Sequence, residues 1–484
     1  MNDRPKVAEL RRAVEALAAD ARAREAQSGA ELQRLHPSHR AAARNLLHYL
    51  ALRQHDLRDL QPPLAALGLS SLGRSEPVVL ATLEAVAHAL RCLEGDRAAP
   101  SAPSAAPTGF DEADRLLETR AEELLGPAPH GRPTRVMVTL APDTDATTVD
   151  ALLSGGADAV RINCAKGTTS EWERLIERVR EAERRRGRPC PILCDLAGPN
   201  PRTVAFGDVP PETVLGRLAV GDELVLAKHP PPPDVLSGHP RISVGCTLPE
   251  VLDDLRAGER VFYDDGKLAG VIRRVDATGA LVEITFARKD RVKVRAGKGL
   301  NFPDSKLGLA PLTAKDREDL AFVARHANMV GLSFLRASEH IELVQAELAR
   351  LDATELGLVL KIETPQAFRL LPKLLLTALC SRRVGVMVAR GDMAIELGFE
   401  RLAEAQEEIL WLCEAAYVPV IWATQVLDVL SRTGQPSRPE VTDAAMSSRA
   451  ECVMLNQGKH QLEALKFLDH VLARMAEHQH KKRA

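Results

Sequence analysis

Eight short apolar runs, separated for the most part by charged stretches of helical period, organise the chain from residue 134 onward. They are RVMVTLA (135–141), DAVRINC (158–164), PILCDLA (191–197), NMVGLSF (328–334), GLVLKIE (357–363), VGVMVAR (384–390), VPVIWAT (418–424) and CVMLN (452–456). Amphipathic stretches such as SEWERLIERVREAERRR and LAEAQEEILWLCEAA lie between them. Fully apolar strands alternating with amphipathic helices predict a parallel sheet covered by helices. Eight such units predict a closed (β/α)8 barrel of the α/β class. The interval between the third and fourth runs is far longer than one helix needs. It holds LAVGDELVLA, AGERVFYDDGKLAGVI, GALVEITFA and DRVKVRAGKG, which read as short strands with turn signals. These predict a small β-barrel inserted at 203–300, placed to act as a lid.

The chain before the barrel has a different texture. Val7, Leu10, Val14, Leu17 and Ala18 recur at helical spacing, and Leu46, Leu47, Tyr49, Leu50 and Leu52 form a second stripe. Pro77 precedes VVLATLEAVAHALRCL as a helix-start proline would. The segment DRAAPSAPSAAPTG (96–109) reads as a linker, followed by the amphipathic DEADRLLETRAEELL. The expected division is a helical module over 1–95, linker and helix over 96–133, barrel over 134–202 and 301–484, and lid over 203–300. The helical module carries no catalytic constellation and reads as a docking or oligomerisation unit.

Composition narrows the function classes. Lys and Arg total 64 against 66 Asp and Glu, a net charge of −2, so nothing points to nucleic acid. No apolar run approaches the ~20 residues of a membrane span. The first residues lack the apolar core of a signal peptide. Eight cysteines without a CxxC pair read as buried free thiols in a reducing, cytoplasmic setting.

The polar residues of the barrel runs gather at their C-terminal ends, where barrels of this type carry their sites. Lys361 and Glu363 are two apart on one strand and point the same way. A lysine and a glutamate turned together into a barrel are costly unless they serve a site or brace one another. VARGDMAIE places Asp392 after Gly391, whose freedom suits a tight turn, ahead of a helix whose first amides suit an anion. Glu363 and Asp392 form a two-carboxylate site with open positions, as Mg²⁺ prefers. Arg161 and Asn163 share a face of the second run, and the arginine suits a phosphate or carboxylate, or a salt bridge within the barrel. Asp195 ends the third run, as a cation ligand or as an acceptor for loop amides.

Together these residues resemble the pyruvate kinase family over roughly 134–478. The motifs are RINCAKG, CDLAGPNPRT, FYDDGK, GKGLNFP, LTAKDREDL, SFLR, LKIETP, VMVARGDMAIE, VIWATQVL and PSRPEVTD. The resemblance implies phosphoryl transfer from phosphoenolpyruvate to ADP, giving ATP and pyruvate. It assigns Mg²⁺ or Mn²⁺ to Glu363 and Asp392, and charge neutralisation at the phosphoryl group and enolate to Lys361. It assigns phosphate to Arg161, the substrate carboxylate to the Gly391 and Asp392 amides, and the methylene carbon to the neighbourhood of Thr424. Pro142, Arg202 and Lys298 match nucleotide-side positions. A homo-oligomer, joined through the N-terminal helices, is the expected assembly. The rivals are a weakened paralogue that senses phosphoenolpyruvate or binds a partner, and a pyruvate-dependent aldolase or lyase on the same barrel.

Departures from the family pattern carry expectations of their own. Ala141 stands for a usual Gly, and NQGK (456–459) for Ser-Gly-Glu-Thr, which removes a proton-relay hydroxyl. The C-terminal regulatory domain of the family has no counterpart before residue 484. Ala165 and Leu196 stand where the family has Ser and Thr, beside Asn163 and Asp195. The K⁺ site of those two residues is therefore expected to be absent or weak, with the Lys166 ammonium in its place. Turnover in tetramethylammonium buffer should change little on adding K⁺; strong K⁺ activation would contradict this.

Overall fold

The computed structural model describes residues 4–96, 109–210, 213–230 and 241–483. Most of the linker expected at 96–109 lies outside them. All eight apolar runs form strands: β1 Arg135–Leu140, β2 Ala159–Asn163, β3 Ile192–Asp195, β4 Met329–Leu332, β5 Gly357–Ile362, β6 Val384–Ala389, β7 Val420–Ala423 and β8 Cys452–Leu455. They pair in parallel and in order, and β8 closes on β1 with Val136 opposite Val453. Helices such as Thr169–Arg186 cover the outside, and that one opens on a capping box between Thr168 and Glu171.

The inward positions of the strands are layered. Met137, Ala159, Leu193, Met329, Val359, Met387, Ile421, Cys452 and Met454 fill the lower barrel as a dry plug. Two residues further along, the inward set turns polar on β1, β2, β3 and β5, while β6 and β7 keep Ala389 and Ala423 there. Thr139, Arg161, Asp195 and Lys361 stand there, with Gly331 opposite Asp195 in register. A strand period of two therefore separates a structural floor from a chemical mouth.

Between β3 and β4 the chain builds a seven-stranded mixed sheet and a two-stranded ladder, Val214–Leu218 with Val292–Arg295. Both share one core, in which Leu218 and Val294 pack with Leu226, Ile272 and Val282. Tyr263 links the two, its hydroxyl accepting the Arg295 amide at 2.8 Å.

The N-terminal helices Arg4–Gln27, Arg40–Leu52 and Val79–Glu94 turn their apolar stripes inward, and Val14, Leu17, Leu46 and Leu83 join the same continuous core as the barrel helices. Pro77 lies in a single 3-10 turn, Glu76–Val78, ahead of the third helix rather than in its first turn. Polar clamps fasten this layer to the barrel. Asn45 Nδ2 donates to the Glu76 and Ala415 carbonyls at 2.7 and 2.9 Å, while its Oδ1 accepts the Val79 amide. Arg120 bridges the Ser38, Ala416 and Tyr417 carbonyls. The helix Arg4–Gln27 packs on the other two, and Arg40–Leu52 carries the layer onto the barrel helices Leu402–Ala415 and Pro365–Ala378. Among the described residues, no helix is long and apolar enough to cross a membrane.

The helix Phe110–Leu125 closes the barrel floor. Leu124 and Leu125 join the plug, and a Cβ at Gly357 or Gly385 would stand 2.5 Å from a Leu124 methyl. Those glycines make room for the leucine. Leu124→Ala should therefore cost about 2–5 kcal/mol of stability, the usual range for a buried leucine that leaves a cavity. Urea unfolding monitored by circular dichroism measures it; a loss below ~1 kcal/mol would mean the floor does not depend on this wedge.

Candidate active site

At the barrel mouth, Lys361 is the hub. Its Nζ lies 2.8 Å from Glu363 Oε1 and 3.2 Å from Asp195 Oδ2, and donates to Ser333 Oγ at 2.7 Å. Lys361 is only 8% exposed, and Asp195 and Glu363 only 1% each. Arg161 reaches the same Asp195 oxygen through Nε at 2.9 Å and Nη2 at 2.5 Å. Two cations therefore share one carboxylate oxygen. Burial alone would push the Asp195 carboxyl up, yet Lys361 and Arg161 outweigh it and hold it below the ordinary range. Burial alone would lower the Lys361 ammonium, but Asp195 and Glu363 raise it above its usual value.

Glu363 is different. Burial, opposed by Lys361 and reinforced by the charge of Asp392, pushes its pKa up to about 7. Its second oxygen accepts the Phe334 amide at 2.6 Å, from a residue held at φ +55°. Burial also raises Asp392, against Lys361, and the charges of Asp265 and Glu396 add to the rise. A pair of buried carboxylates pushed up in this way is a site short of positive charge. Among the described residues no cluster of three His, Cys, Asp or Glu side chains is spaced to enclose a metal. Glu363 and Asp392 are the two buried carboxylates here that could hold a divalent ion, as an open site would.

The strand ends on the far side carry the backbone strain. Thr424, Gln425 and Leu427 sit at φ +61°, +61° and +49°. Thr424 Oγ1 accepts the Gly391 amide at 2.8 Å. Gly391 is not left-handed: the strand ends at Ala389 and the helix Arg390–Leu397 starts at the next residue, so the chain turns there with no loop between them. Arg390 holds these loops together: it donates to the Ala423 and Thr424 carbonyls, pairs with Asp443 through both terminal nitrogens and stacks over Trp422.

A family model described as the pyruvate kinase barrel domain matches residues 131–461. The chain belongs to the pyruvate kinase family. It is 30% identical over 351 residues to the pyruvate kinase of Geobacillus stearothermophilus, covering 71% of this chain and 57% of that relative. Against the pyruvate kinase of Thermotoga maritima it is 30% identical, with 70% of each chain covered. With that of Methylorubrum extorquens it shares 32% over 67% of this chain and 64% of the relative. A crystal structure of a pyruvate kinase from Cryptosporidium parvum superposes with a TM-score of 0.62 at 22% identity, covering 73% of this chain and 72% of that one, a likeness of fold.

Not every expected site residue joins the hub of this family member. Pro142 follows β1 and packs on the β2 loop, where a Cβ at Gly167 would stand 2.9 Å from its ring. Arg202 and Lys298 lie at the neck between barrel and second sheet. Arg202 bridges Gly299 and donates to the Gly297 carbonyl at 3.0 Å, and the Lys298 amide bonds Thr203 Oγ1. Asn163 Oδ1 accepts the Ala165 amide at 3.0 Å, and Asp195 Oδ2 is held by two cations. Asp195 Oδ1 alone has no hydrogen-bond partner among the described residues. Lys166 is exposed and forms no ion pair among the described residues, so it does not replace a cation at Asp195 in this conformation.

The sequence reading passed over Ser333, Asn301, Glu396, Arg336 and Gly331. Ser333 was legible in SFLR, since the residue beyond β4 lies two past an inward Gly331. That glycine has a steric reason: a Cβ there would stand 2.3 Å from Asp195 Oδ1. Gly331→Ala should displace Asp195 and with it Lys361. A shift of ~1 Å in a reacting group can cost about 100-fold. Turnover in a coupled pyruvate kinase assay should fall by that order in a variant that keeps its cooperative unfolding; wild-type turnover would show that Asp195 does not place Lys361.

Proposed function

We propose that this chain is a pyruvate kinase, passing the phosphoryl group of phosphoenolpyruvate to ADP to give ATP and pyruvate. The observation that carries the reading is the buried Lys361 ammonium held by Asp195, Glu363 and Ser333 beside Arg161. Phosphoryl transfer asks a protein for positioning and charge stabilisation more than for covalent participation. A divalent metal at Glu363 and Asp392, Mg²⁺ or Mn²⁺, supplies Lewis-acid stabilisation of substrate oxygens when bound. Lys361 faces the transferring phosphoryl group and stabilises the enolate that its departure leaves. Arg161 orients the phosphate, and Asp195 keeps both cations fixed by sharing one oxygen between them. The carboxylate end of the substrate falls by Gly391 and Thr424. Since the Gly391 amide already donates to Thr424 Oγ1, substrate either takes that bond over or uses the Asp392 amide. Arg202 and Lys298 at the neck face the nucleotide, and Pro142 at the end of β1 borders the same substrate. The insert closes over the mouth and excludes water.

A second reading has one specific observation behind it. Where the family carries a relay hydroxyl, Gln457 of NQGK directs its carboxamide to the Leu140 carbonyl of β1, and Gln461 just beyond directs its own to the Thr139 carbonyl. A chain without that relay could bind phosphoenolpyruvate and turn it over poorly, as a sensor.

A lactate dehydrogenase-coupled assay with phosphoenolpyruvate, ADP and Mg²⁺ separates the two. The kinase reading expects sustained ATP and pyruvate formation. Binding of phosphoenolpyruvate without ATP formation by folded, metal-loaded protein would contradict it and favour the sensor. Lys361→Met should reduce turnover by about 100- to 1,000-fold, as removal of one group that stabilises transition-state charge does, while Mn²⁺ binding stays measurable. Turnover near wild type would remove Lys361 from the mechanism.

A further inference from the structure

The second sheet returns to the barrel through the short strand Leu300–Asn301, antiparallel to Arg260–Tyr263. Asn301 is the last residue of that strand and is 5% exposed. Its Nδ2 donates to Glu396 Oε1 at 3.0 Å, and its side chain lies close enough to Asp392 to favour that carboxylate. Asp392 and Glu396 are four apart on the helix Arg390–Leu397, so they share a face one turn apart. A carboxamide NH₂ has two N–H donors and ionised carboxylates only accept, so one Asn301 nitrogen matches two carboxylates.

The paired strand reaches the same helix. Tyr263 leads into the turn Asp264–Lys267, with Asp264 and Asp265 at φ +50° and +55°. A Cβ at Gly266 would stand 2.9 Å from Ile395 Cδ1. Asn301 pairs with Phe262 and Leu300 with Tyr263, so the two contacts belong to one ladder. The insert thus holds the helix of Asp392 at two points, one polar and one apolar.

We propose that Asn301 is a positioning residue for the metal carboxylate: its carboxamide clamps Asp392 and Glu396 together and ties Asp392 to the position of the insert. Left alone, the two carboxylates on one helix face repel, and Asp392 turns away from Glu363. With the clamp made, Asp392 presents its remaining lone pairs toward Glu363. Arg336, whose buried Nη1 has no hydrogen-bond partner among the described residues, supports the clamp with positive charge near Glu396. A displacement of the insert breaks the clamp and loosens the metal site. Metal affinity and insert position are then linked, and the linkage is reciprocal. This inference rests on the reading of Glu363 and Asp392 as the divalent site.

The test is Mn²⁺ titration of the full chain by electron paramagnetic resonance, without substrate or nucleotide. Wild type, Asn301→Leu and Asn301→Ser are compared, with thermal unfolding as the check on folding. Loss of a group that orients a metal ligand typically weakens metal binding about 10–100-fold. Asn301→Leu should show that loss, and excess Mn²⁺ should restore its turnover. Asn301→Ser, which keeps one donor and perturbs packing less, should fall between. Packing alone would lower stability or raise the KM for ADP without moving Mn²⁺ affinity. Wild-type binding with affinity within about twofold in a folded Asn301 variant would overturn the clamp alone. Absence of Mn²⁺ binding by wild type would overturn the metal reading, and the clamp with it.

Discussion

A lysine ammonium cannot be taken out of water without counter-charge, and Lys361 is buried at the centre of the barrel mouth. Much of the site follows from that constraint. Asp195 and Glu363 supply the counter-charge, and Ser333 takes a further N–H. Asp195 serves Arg161 through the same oxygen, so the two cations are fixed relative to one another. Gly331 lacks a side chain because Asp195 leans over it. Burial holds the Glu363 carboxyl up at about 7 despite Lys361 beside it. A divalent ion shared with Asp392, as proposed, would supply the missing positive charge.

The rest of the chain keeps this arrangement rigid from below and adjustable from above. Leu124 and Leu125 wedge into the floor, and the N-terminal helices are riveted to the outer helices through Asn45 and Arg120. Both contacts bury main-chain carbonyls that would otherwise lack partners. Above, the second sheet touches the helix of Asp392 through Asn301 and Gly266. The floor and the insert thus meet the site from opposite ends of the barrel, and the insert's contacts fall on the helix of Asp392.

The barrel was legible because its signal is periodic: each apolar run became a strand, offset by at most two residues at either end. The Lys361–Glu363 pair was legible for the same reason, since a period of two places both inward. Partners on other strands were not. Nothing in RINCAKG or CDLAG says that Arg161 and Lys361 converge on one oxygen of Asp195; that depends on barrel closure and register. Asn301 and Glu396 meet across an insert whose fold a local pattern does not specify. The left-handed backbone at Thr424 and Gln425 was not legible, because residue type gives no warning there. The N-terminal stripes were seen, but their partner was not, because an amphipathic helix does not declare what covers it.

Family membership and site geometry bear on different questions. The first speaks for the barrel and its ancestry, the second for whether this particular mouth can bind and react. The departures lie around the site, at Ala165, Leu196 and NQGK, while the carboxylates and cations at its centre are in place. The most direct test of that centre is anomalous diffraction from crystals soaked with Mn²⁺ and oxalate, an analogue of enolpyruvate. The account predicts one anomalous peak within coordination distance of both Glu363 and Asp392, with oxalate completing the shell. A well-ordered mouth with no peak there, or a peak bound by other residues, would contradict it.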